Sequence, residues 1–364
     1  MYLTNLLKNG NLSAALLLTL ITIVTLISDH LFNYNYLTIT LIISIISSSL
    51  ATKWFIPAID SLKINQIIRT EGPETHYKKS GTPTMGGLVI VTVGVIITNL
   101  INLYTFNDNK VIGLSLLTLA FMLIGALDDW KSLTQKTNSG LSAKAKILLQ
   151  SIAAILFITW TSVEGLINPI IKFPFHFSLN VGILIIPIAI FVFIAESNST
   201  NLADGLDGLA SGCGALIFMG FTIELILRNS QENYALASFS IVMCGCWLGF
   251  LQHNKNPAKI FMGDTGSLAI GGSLAGLALL SNNLWSLLIM GGVFLAESLS
   301  VIIQVWFFKL TKKHRGEGKR IFLMTPLHHH YEIAGVHENI IVISFWGTTI
   351  LLIIITLLMN KTFS

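Results

Sequence analysis

The chain has 364 residues, of which 53 % are hydrophobic and only 11 % are charged. That charged share is about half of the ~25 % found in soluble domains, so the composition excludes an ordinary soluble enzyme. The net charge of +4 does not indicate nucleic-acid binding, because the basic residues are concentrated in alternate connections between apolar runs.

Eleven apolar runs follow one another along the chain, and each is close to the length needed to cross a bilayer. They cover about residues 12–28, 36–56, 86–105, 111–127, 146–165, 180–196, 208–227, 235–252, 266–282, 285–310 and 338–359. The first run is short and rich in Thr and Ser, so it either spans the membrane or lies in its interface. The sequence predicts an all-α polytopic membrane helix bundle of ten or eleven transmembrane helices, with residues 1–364 forming one domain.

Lys and Arg are distributed unequally between the two sides of this bundle. The connections after the second, fourth, sixth, eighth and tenth runs carry sixteen of them, whereas the opposite internal connections carry three. The positive-inside rule places the first set in the cytoplasm. The polar motifs described below all lie on that side, which predicts a functional site at the cytoplasmic face.

The first of these connections leads into the third run through Gly81–Gly87, which reads Gly-Thr-Pro-Thr-Met-Gly-Gly. Hydroxyls such as that of Thr84 and backbone amides near a helix start favour an anion. Lys78 and Lys79 add positive charge suited to phosphate. A basic membrane anchor with a Gly/Pro turn explains this connection equally well.

The fourth run ends in Asp128 and Asp129, followed by Trp130 and Lys131. Adjacent carboxylates repel, and a divalent cation or a lysine that shares the site offsets this repulsion. Asp-Asp pairs at helix ends are also common without such a role. Downstream, Lys144 and Lys146 enter the fifth run, where they either meet phosphate or extend toward water along the membrane surface. Both interpretations stay open at this point.

The segment Asn198–Gly208 joins the sixth and seventh runs. Asn201, Asp204 and Asp207 recur every three residues, which on a helix places them on one broad side. Ionisable groups at a membrane boundary are costly to place and therefore indicate a site. The alternative is a polar turn between two spans.

Asn254–Ser267 precedes and enters the ninth run. Asp264 is either the N-cap of that run or a carboxylate that holds Mg²⁺ against a diphosphate, with Gly263 giving room. Together with the other aspartates on the same side, it favours the metal-binding interpretation.

The last motif on this side is His328-His329-His330, followed by Tyr331 and Glu332. A zinc site is one interpretation, but adjacent residues on a helix point about 100° apart, which disfavours a shared ion. Contact of one or two imidazoles with phosphate or sugar is the preferred interpretation. Glu297, inside the tenth run, is expected to pack in the bundle or to pair with another polar group.

These motifs closely resemble those of the polyprenyl-phosphate N-acetylhexosamine-1-phosphate transferases. The resemblance runs from about residue 37 to the end and is carried, in the order of that family, by Gly81–Gly87, Asp128-Asp129, Asn201–Leu209, Phe261–Leu268 and Pro326–Glu332. The triple histidine and the Thr-Pro-Thr-Met segment resemble the branch that uses muramoyl-pentapeptide.

Departures from the family pattern are few. This chain has Ala203 where the family often has Thr, and Trp130 where Tyr is usual. Gln252-His253 stands where an aromatic pair is common, and the apolar run near the N-terminus is also atypical. None of these differences removes a carboxylate.

The resemblance implies Mg²⁺-dependent transfer of phospho-MurNAc-pentapeptide from its UDP carrier to undecaprenyl phosphate, at the cytoplasmic face of a bacterial inner membrane. It implies catalytic roles for Asp128, Asp129 and Asp264, with Mg²⁺ held by Asp264 and Asp128. The substrate-binding residues that it implies, together with their neighbours, are Lys78, Lys79, Thr84, Lys131, Lys144, Lys146, Asn198, Asn201, Asp204, Asp207, Asn254, Gly263, His328, His329 and His330. No nucleic-acid partner is expected, and a homodimer is one arrangement compatible with this family.

Two other functions remain as alternatives. A related transferase would use UDP-GlcNAc as the donor. A secondary transporter of an anionic solute would also place charges within spans, but it should hold them near the midplane, whereas here they cluster at one face.

Overall fold

The computed structural model describes residues 8–32, 36–61, 81–135, 140–174, 177–228 and 231–361. Within these ranges the chain is almost entirely helical, with one two-stranded antiparallel hairpin and a short 3₁₀ turn at Gly182–Leu184. The hairpin strands are β1 (Ile170–Lys172) and β2 (Ser178–Asn180). The helices are α1 (Gly10–Phe32), α2 (Leu37–Ser61), α3 (Gly87–Thr105), α4 (Asn109–Gln135), α5 (Ala143–Val163), α6 (Ile185–Ala203), α7 (Leu209–Leu227), α8 (Gln231–Asn254), α9 (Gly263–Leu280), α10 (Leu284–Met290), α11 (Gly292–Arg315), α12 (Leu327–Ile333) and α13 (Glu338–Lys361).

Ten of the described helices are long and apolar enough to cross a membrane, which confirms the predicted polytopic helical bundle. The ten include α1, the run whose role the sequence left open. At 23 residues α1 is about 35 Å long, enough for a hydrocarbon core. Just before α1, the Lys8 carbonyl accepts a hydrogen bond from Asn339 Nδ2. In the last turn of α1, Asp29 accepts hydrogen bonds from the first amides of α2.

The ninth predicted run corresponds to α9, which is not among these ten helices. Its 18 residues include five glycines, and almost every residue after the first two is buried. A helix that is buried all round needs no lipid-facing apolar side. It is the central helix of the bundle, and α7 and α8 are nearly as completely enclosed. The outer helices instead expose large apolar side chains such as Leu16, Ile46 and Leu103.

Small residues let α9 approach its neighbours closely. A Cβ atom at Gly125 of α4 would collide with the backbone at Asp264, and one at Gly87 of α3 would collide with Gly266. Close backbone approach through glycine is typical of membrane helix packing. It brings the end of α4, with its paired aspartates, next to the start of α9.

The tenth predicted run, 285–310, is wrong as a single helix. The structure has the short α10 and the long α11 instead, separated at Gly291. Hydropathy does not detect this break, because the residues on both sides of it are apolar.

Candidate active site

The side chains of Asp128, Lys146 and Asp264 meet at one end of the bundle. They come from the C-terminal part of α4, the first turn of α5 and the first turn of α9. Lys146 Nζ lies 3.1 Å from Asp128 Oδ1 and 2.5 Å from Asp264 Oδ2. One ammonium group therefore bridges two carboxylates that are 136 positions apart in the chain. Asp128 is further held by the Leu141 amide, which donates to its Oδ1 at 2.9 Å.

Asp129 points to a different set of partners from its neighbour. Its Oδ1 accepts a hydrogen bond from the Asp264 amide at 3.1 Å, and its Oδ2 accepts from the Thr265 amide at 3.0 Å and from Thr265 Oγ1 at 2.5 Å. These amides are among the first of α9, where a helix lacks internal acceptors and favours negative charge. Asp129 thus caps α9 from α4 and fixes the residue that carries the Asp264 carboxylate.

The turn before α9 depends on Gly263, whose φ is +70°. A Cβ there would strike the Asp129 carboxylate and would also contact the buried Thr84 hydroxyl. The Gly81–Gly87 connection lies alongside: the Phe261 amide donates to the Pro83 carbonyl at 2.8 Å, and the Gly87 amide donates to Met262 O at 3.0 Å. Thr84 therefore lies beside Gly263 at the start of α9.

Asp128 and Asp264 form a donor set that fits a hard divalent cation. Their oxygens already converge on one cationic group, the Lys146 ammonium, and Mg²⁺ characteristically takes one or two protein carboxylates and leaves its other positions to water and phosphate. Within the described residues no group of three or more His, Cys, Asp and Glu side chains is arranged to enclose a metal. The arrangement therefore resembles an open site completed by a substrate, unlike a closed structural metal centre.

The segment that joins α6 and α7 differs from the sequence prediction. α6 ends at Ala203, Asp204 is its C-cap, and Gly208 adopts a left-handed φ of +82° before α7 begins. Asp204 and Asp207 therefore do not share a helix face with Asn201. Gly208, with its positive φ, allows the chain to turn into α7.

Asn201 and Asn198 lie in the last turns of α6. Asn201 Nδ2 donates to Ser267 Oγ at 3.0 Å, which places it beside the first turns of α9. Asn198 Nδ2 donates to Gln150 Oε1 at 3.0 Å. Gln150 is fully buried on α5, one turn beyond Lys146, and no motif in the sequence points to it.

Asp207 forms a junction between three connections. Its amide donates to Glu338 Oε1 at 2.9 Å, and its Oδ2 accepts from Asn256 Nδ2 at 3.1 Å and from the Ala258 amide at 3.0 Å. Asn256 also donates to Glu338 Oε2 at 2.9 Å. Asp207 is buried and holds the connection before α9 in place.

Asn254 has a similar role. Its Oδ1 accepts hydrogen bonds from the Gly208 amide at 3.1 Å and from Ser211 Oγ at 2.9 Å, and its Nδ2 donates to Ile260 O at 3.0 Å. The side chain is 2 % exposed. Its amide oxygen and nitrogen are thus both used within the protein.

The three histidines lie on the short helix α12 and point to different partners. His328 is fully buried, with Nδ1 3.2 Å from Glu297 Oε1. His329 Nδ1 lies 2.7 Å from Glu332 Oε2, and His330 Nδ1 accepts from the Leu323 amide at 3.2 Å.

Glu297 is a residue to which the sequence assigned no role beyond packing or pairing. It is completely buried on α11 and pairs with His328, which confirms the expected polar partner. A Cβ at Gly205 would collide with His328 Nε2, so the ring extends from Glu297 to the α6–α7 turn. The signal in the sequence was a lone carboxylate within an apolar run.

The remaining predicted residues are lysines. Lys78 and Lys79 lie in 62–80, outside the described residues. Lys144 is exposed at the start of α5, and Lys131 is half-buried near the end of α4. Among the predicted lysines in the described part of the chain, Lys146 contacts both Asp128 and Asp264.

Two family models match the chain. The model described as glycosyl transferase family 4 matches residues 111–282, which include Asp128, Lys146 and Asp264. The phospho-N-acetylmuramoyl-pentapeptide-transferase signature 1 matches residues 79–91, which include the connection beside Asp264.

Several curated relatives are similar over nearly the whole chain. A phospho-N-acetylmuramoyl-pentapeptide-transferase of Prochlorococcus marinus (strain MIT 9313) is 52 % identical over 353 residues, which cover 97 % of this chain and 95 % of the relative. The protein of the same name from Synechococcus sp. (strain WH7803) is 52 % identical over 341 residues, or 94 % of this chain and 93 % of the relative. That of Prochlorococcus marinus subsp. pastoris (strain CCMP1986 / NIES-2087 / MED4) is 40 % identical over 353 residues, or 97 % and 98 %.

Proposed function

The chain belongs to the phospho-N-acetylmuramoyl-pentapeptide-transferase family, and we propose that it transfers phospho-MurNAc-pentapeptide from UDP-MurNAc-pentapeptide to undecaprenyl phosphate. An oxygen of the lipid phosphate forms a bond to the phosphorus that carries the sugar, and the bond from that phosphorus to UMP breaks. The products are UMP and the first lipid intermediate of peptidoglycan synthesis.

The convergence of Asp128, Lys146 and Asp264 at one end of the bundle is the observation that carries this proposal. A water-soluble nucleotide sugar and a membrane-bound phosphate meet only where the helices end. Two anions that approach each other need positive charge between them, and preorganised charge is the largest contribution to this type of catalysis. Lys146 supplies a positive charge, and Asp128 and Asp264 supply carboxylate oxygens that bind a further cation.

Asp264 and Asp128 are the residues that would hold Mg²⁺. Bound there, Mg²⁺ would offset the charge that develops on the diphosphate during transfer. Lys146 lies beside the same two carboxylates and donates to a phosphate oxygen. It also keeps Asp128 and Asp264 close together. Asp129 acts by holding the start of α9, so of the two adjacent aspartates Asp128 is the one that contacts the reacting phosphates.

The other motif residues divide into two groups in this proposal. Asn201, Asp204, His329 and His330 line the approach of the nucleotide and sugar, and the buried His328 supports them from Glu297. Asp207 and Asn254 hold the connections in place through hydrogen bonds within the protein. The charge-bearing connections face the cytoplasm, where the nucleotide donor is made, and the membrane is the bacterial inner membrane.

Mass spectrometry of the lipid product tests the substrate assignment. Full-length purified protein is given undecaprenyl phosphate, Mg²⁺ and either UDP-MurNAc-pentapeptide or UDP-GlcNAc. We expect a lipid product and UMP only with the first donor. A GlcNAc-containing lipid would support the other transferase branch, and solute uptake into sealed vesicles without UMP release would support a transporter.

The one-step reaction is tested by exchange. Radiolabelled UMP and UDP-MurNAc-pentapeptide are incubated with the enzyme and Mg²⁺ in the absence of lipid acceptor. A direct transfer gives no label in the nucleotide sugar, because no enzyme-bound intermediate forms. Incorporation of label that is lost in Asp128→Asn would instead indicate a covalent aspartyl intermediate.

A further inference from the structure

A second cluster of charge lies near the ends of α2 and α8 and, among the residues that the structure describes, contains no carboxylate. It comprises Lys53, His253, Lys255 and Lys259, and we call it the basic cluster. The His253 ring is 3.0 Å from both Ser49 Oγ and Ser49 O, which joins α8 to α2. The charges of Lys53, Lys255 and Lys259 all act on this ring.

The connection after α8 folds back over the end of the helix to assemble this cluster. The Lys259 amide donates to the His253 carbonyl at 2.8 Å, and Lys255 Nζ donates to Gln252 Oε1 at 3.3 Å. Gln252-His253 is also the pair that departs from the aromatic residues common in the family. The polar pair thus gives the cluster its imidazole and a hydrogen-bond acceptor for Lys255.

The positive charge of this cluster is not neutralised within the described part of the chain. None of the salt bridges there involves Lys53, Lys255 or Lys259. Burial and the charge of Lys259 lower the pKa of Lys255, and no carboxylate contributes in the opposite direction. Three like charges held together cost free energy, which a bound anion recovers.

The outer face of α2 indicates what kind of anion fits. Ile46, Leu50 and Trp54 are 52 %, 61 % and 82 % exposed and lie four residues apart, so they form one apolar stripe that leads to Lys53. In a membrane such a stripe contacts acyl chains, and tryptophan at its end marks the headgroup level. A lipid that lies along this stripe presents its headgroup to the ammonium groups. A soluble anion would gain nothing from the stripe.

We propose that Lys53, His253, Lys255 and Lys259 bind the phosphodiester headgroup of one anionic phospholipid, whose acyl chain lies along the outer face of α2. No contact joins these residues to Asp128, Lys146 or Asp264, so the lipid is not the reacting phosphate. The inference does not depend on the proposed reaction.

Native mass spectrometry of the full-length detergent-purified protein tests this site. The probes are phosphatidylglycerol, phosphatidylcholine of the same chain length, and inorganic phosphate. We expect one phosphatidylglycerol molecule to stay bound to the protein, and we expect a smaller fraction of the protein to keep phosphatidylcholine bound. Each lysine near an anionic lipid surface contributes about fivefold in affinity, so Lys255→Gln/Lys259→Gln should weaken binding about 25-fold. Lys53→Gln, on the other helix, should weaken it about fivefold by the same reasoning.

Lys312→Gln/Lys313→Gln on α11 is the matched control, because it removes the same charge from another exposed helix end. It should retain phosphatidylglycerol as the unchanged protein does. Equal retention by all variants, or equal retention of phosphatidylcholine, would overturn the proposal. Displacement of the lipid by an equal concentration of inorganic phosphate would also overturn it, because the site would then recognise a soluble anion.

Discussion

Asp129→Asn separates a positioning role for this aspartate from a chemical one. The carboxylate accepts three hydrogen bonds at the start of α9. An asparagine offers one oxygen, so at least one donor loses its acceptor and the amide group faces N–H groups. Bonds to a charged group contribute about 1.5–3 kcal/mol each, so the free energy of unfolding should fall by about 2–3 kcal/mol.

Turnover should fall together with stability in this variant. Asp264 lies at the capped end of α9. If the disturbed cap raises the activation free energy by about 1.4–2.8 kcal/mol, UMP release slows about 10- to 100-fold. The assays are chemical denaturation of the detergent-purified protein and UMP release at saturating Mg²⁺. Thr265→Val is the matched variant: it removes one of the three donors and should cost about 1 kcal/mol of stability.

The result that refutes this reasoning is an Asp129→Asn protein with an unchanged denaturation curve and no detectable turnover. Asp129 would then take part in the chemistry itself. An unstable variant whose turnover per folded molecule is normal would equally show that the cap does not position Asp264.

Three further outcomes follow from the same geometry. Lys146→Met should slow UMP release by more than about 100-fold. As a control, Lys144→Gln at an exposed position should change the rate by less than about threefold. Equal effects of the two substitutions would contradict the bridging role of Lys146. Glu297→Gln and His328→Gln should each reduce kcat. In a double-mutant cycle, the activation free energy lost in the double variant should be smaller than the sum of the two single losses by about 1–2 kcal/mol. Additive losses would exclude a paired function. Gly263→Ala should lower the unfolding free energy by about 1–3 kcal/mol because its φ is +70°, with thermal denaturation as the measurement.

The helices could be predicted because they depend on local composition, whereas the side of the membrane that carries the site stays a prediction. A run of apolar residues as long as the bilayer is thick has almost no alternative to a helix. Lysines and arginines between the runs then predicted the side. The break at Gly291 could not be predicted in this way, because both halves are equally apolar.

The roles of individual polar residues depended on partners far away in the chain. Asp128 and Asp129 look equivalent in the sequence, yet one contacts Lys146 and the other caps α9. The helical spacing of Asn201, Asp204 and Asp207 was misleading because α6 ends at Ala203, before the two aspartates. Only the packed structure shows which of these carboxylates contact Lys146 and which hold other segments in place.

The junction of Asp207, Asn256 and Glu338 bears on how genetic screens of this protein should be interpreted. Glu338 is 131 positions away from Asp207, at the start of the last helix, and their contact fixes the connection that leads to Asp264. A screen that scores only cell survival would group Glu338 with the residues proposed to be catalytic, although it acts through a loop. Measuring protein abundance in parallel would separate the two groups, because loss of the junction reduces the amount of folded enzyme.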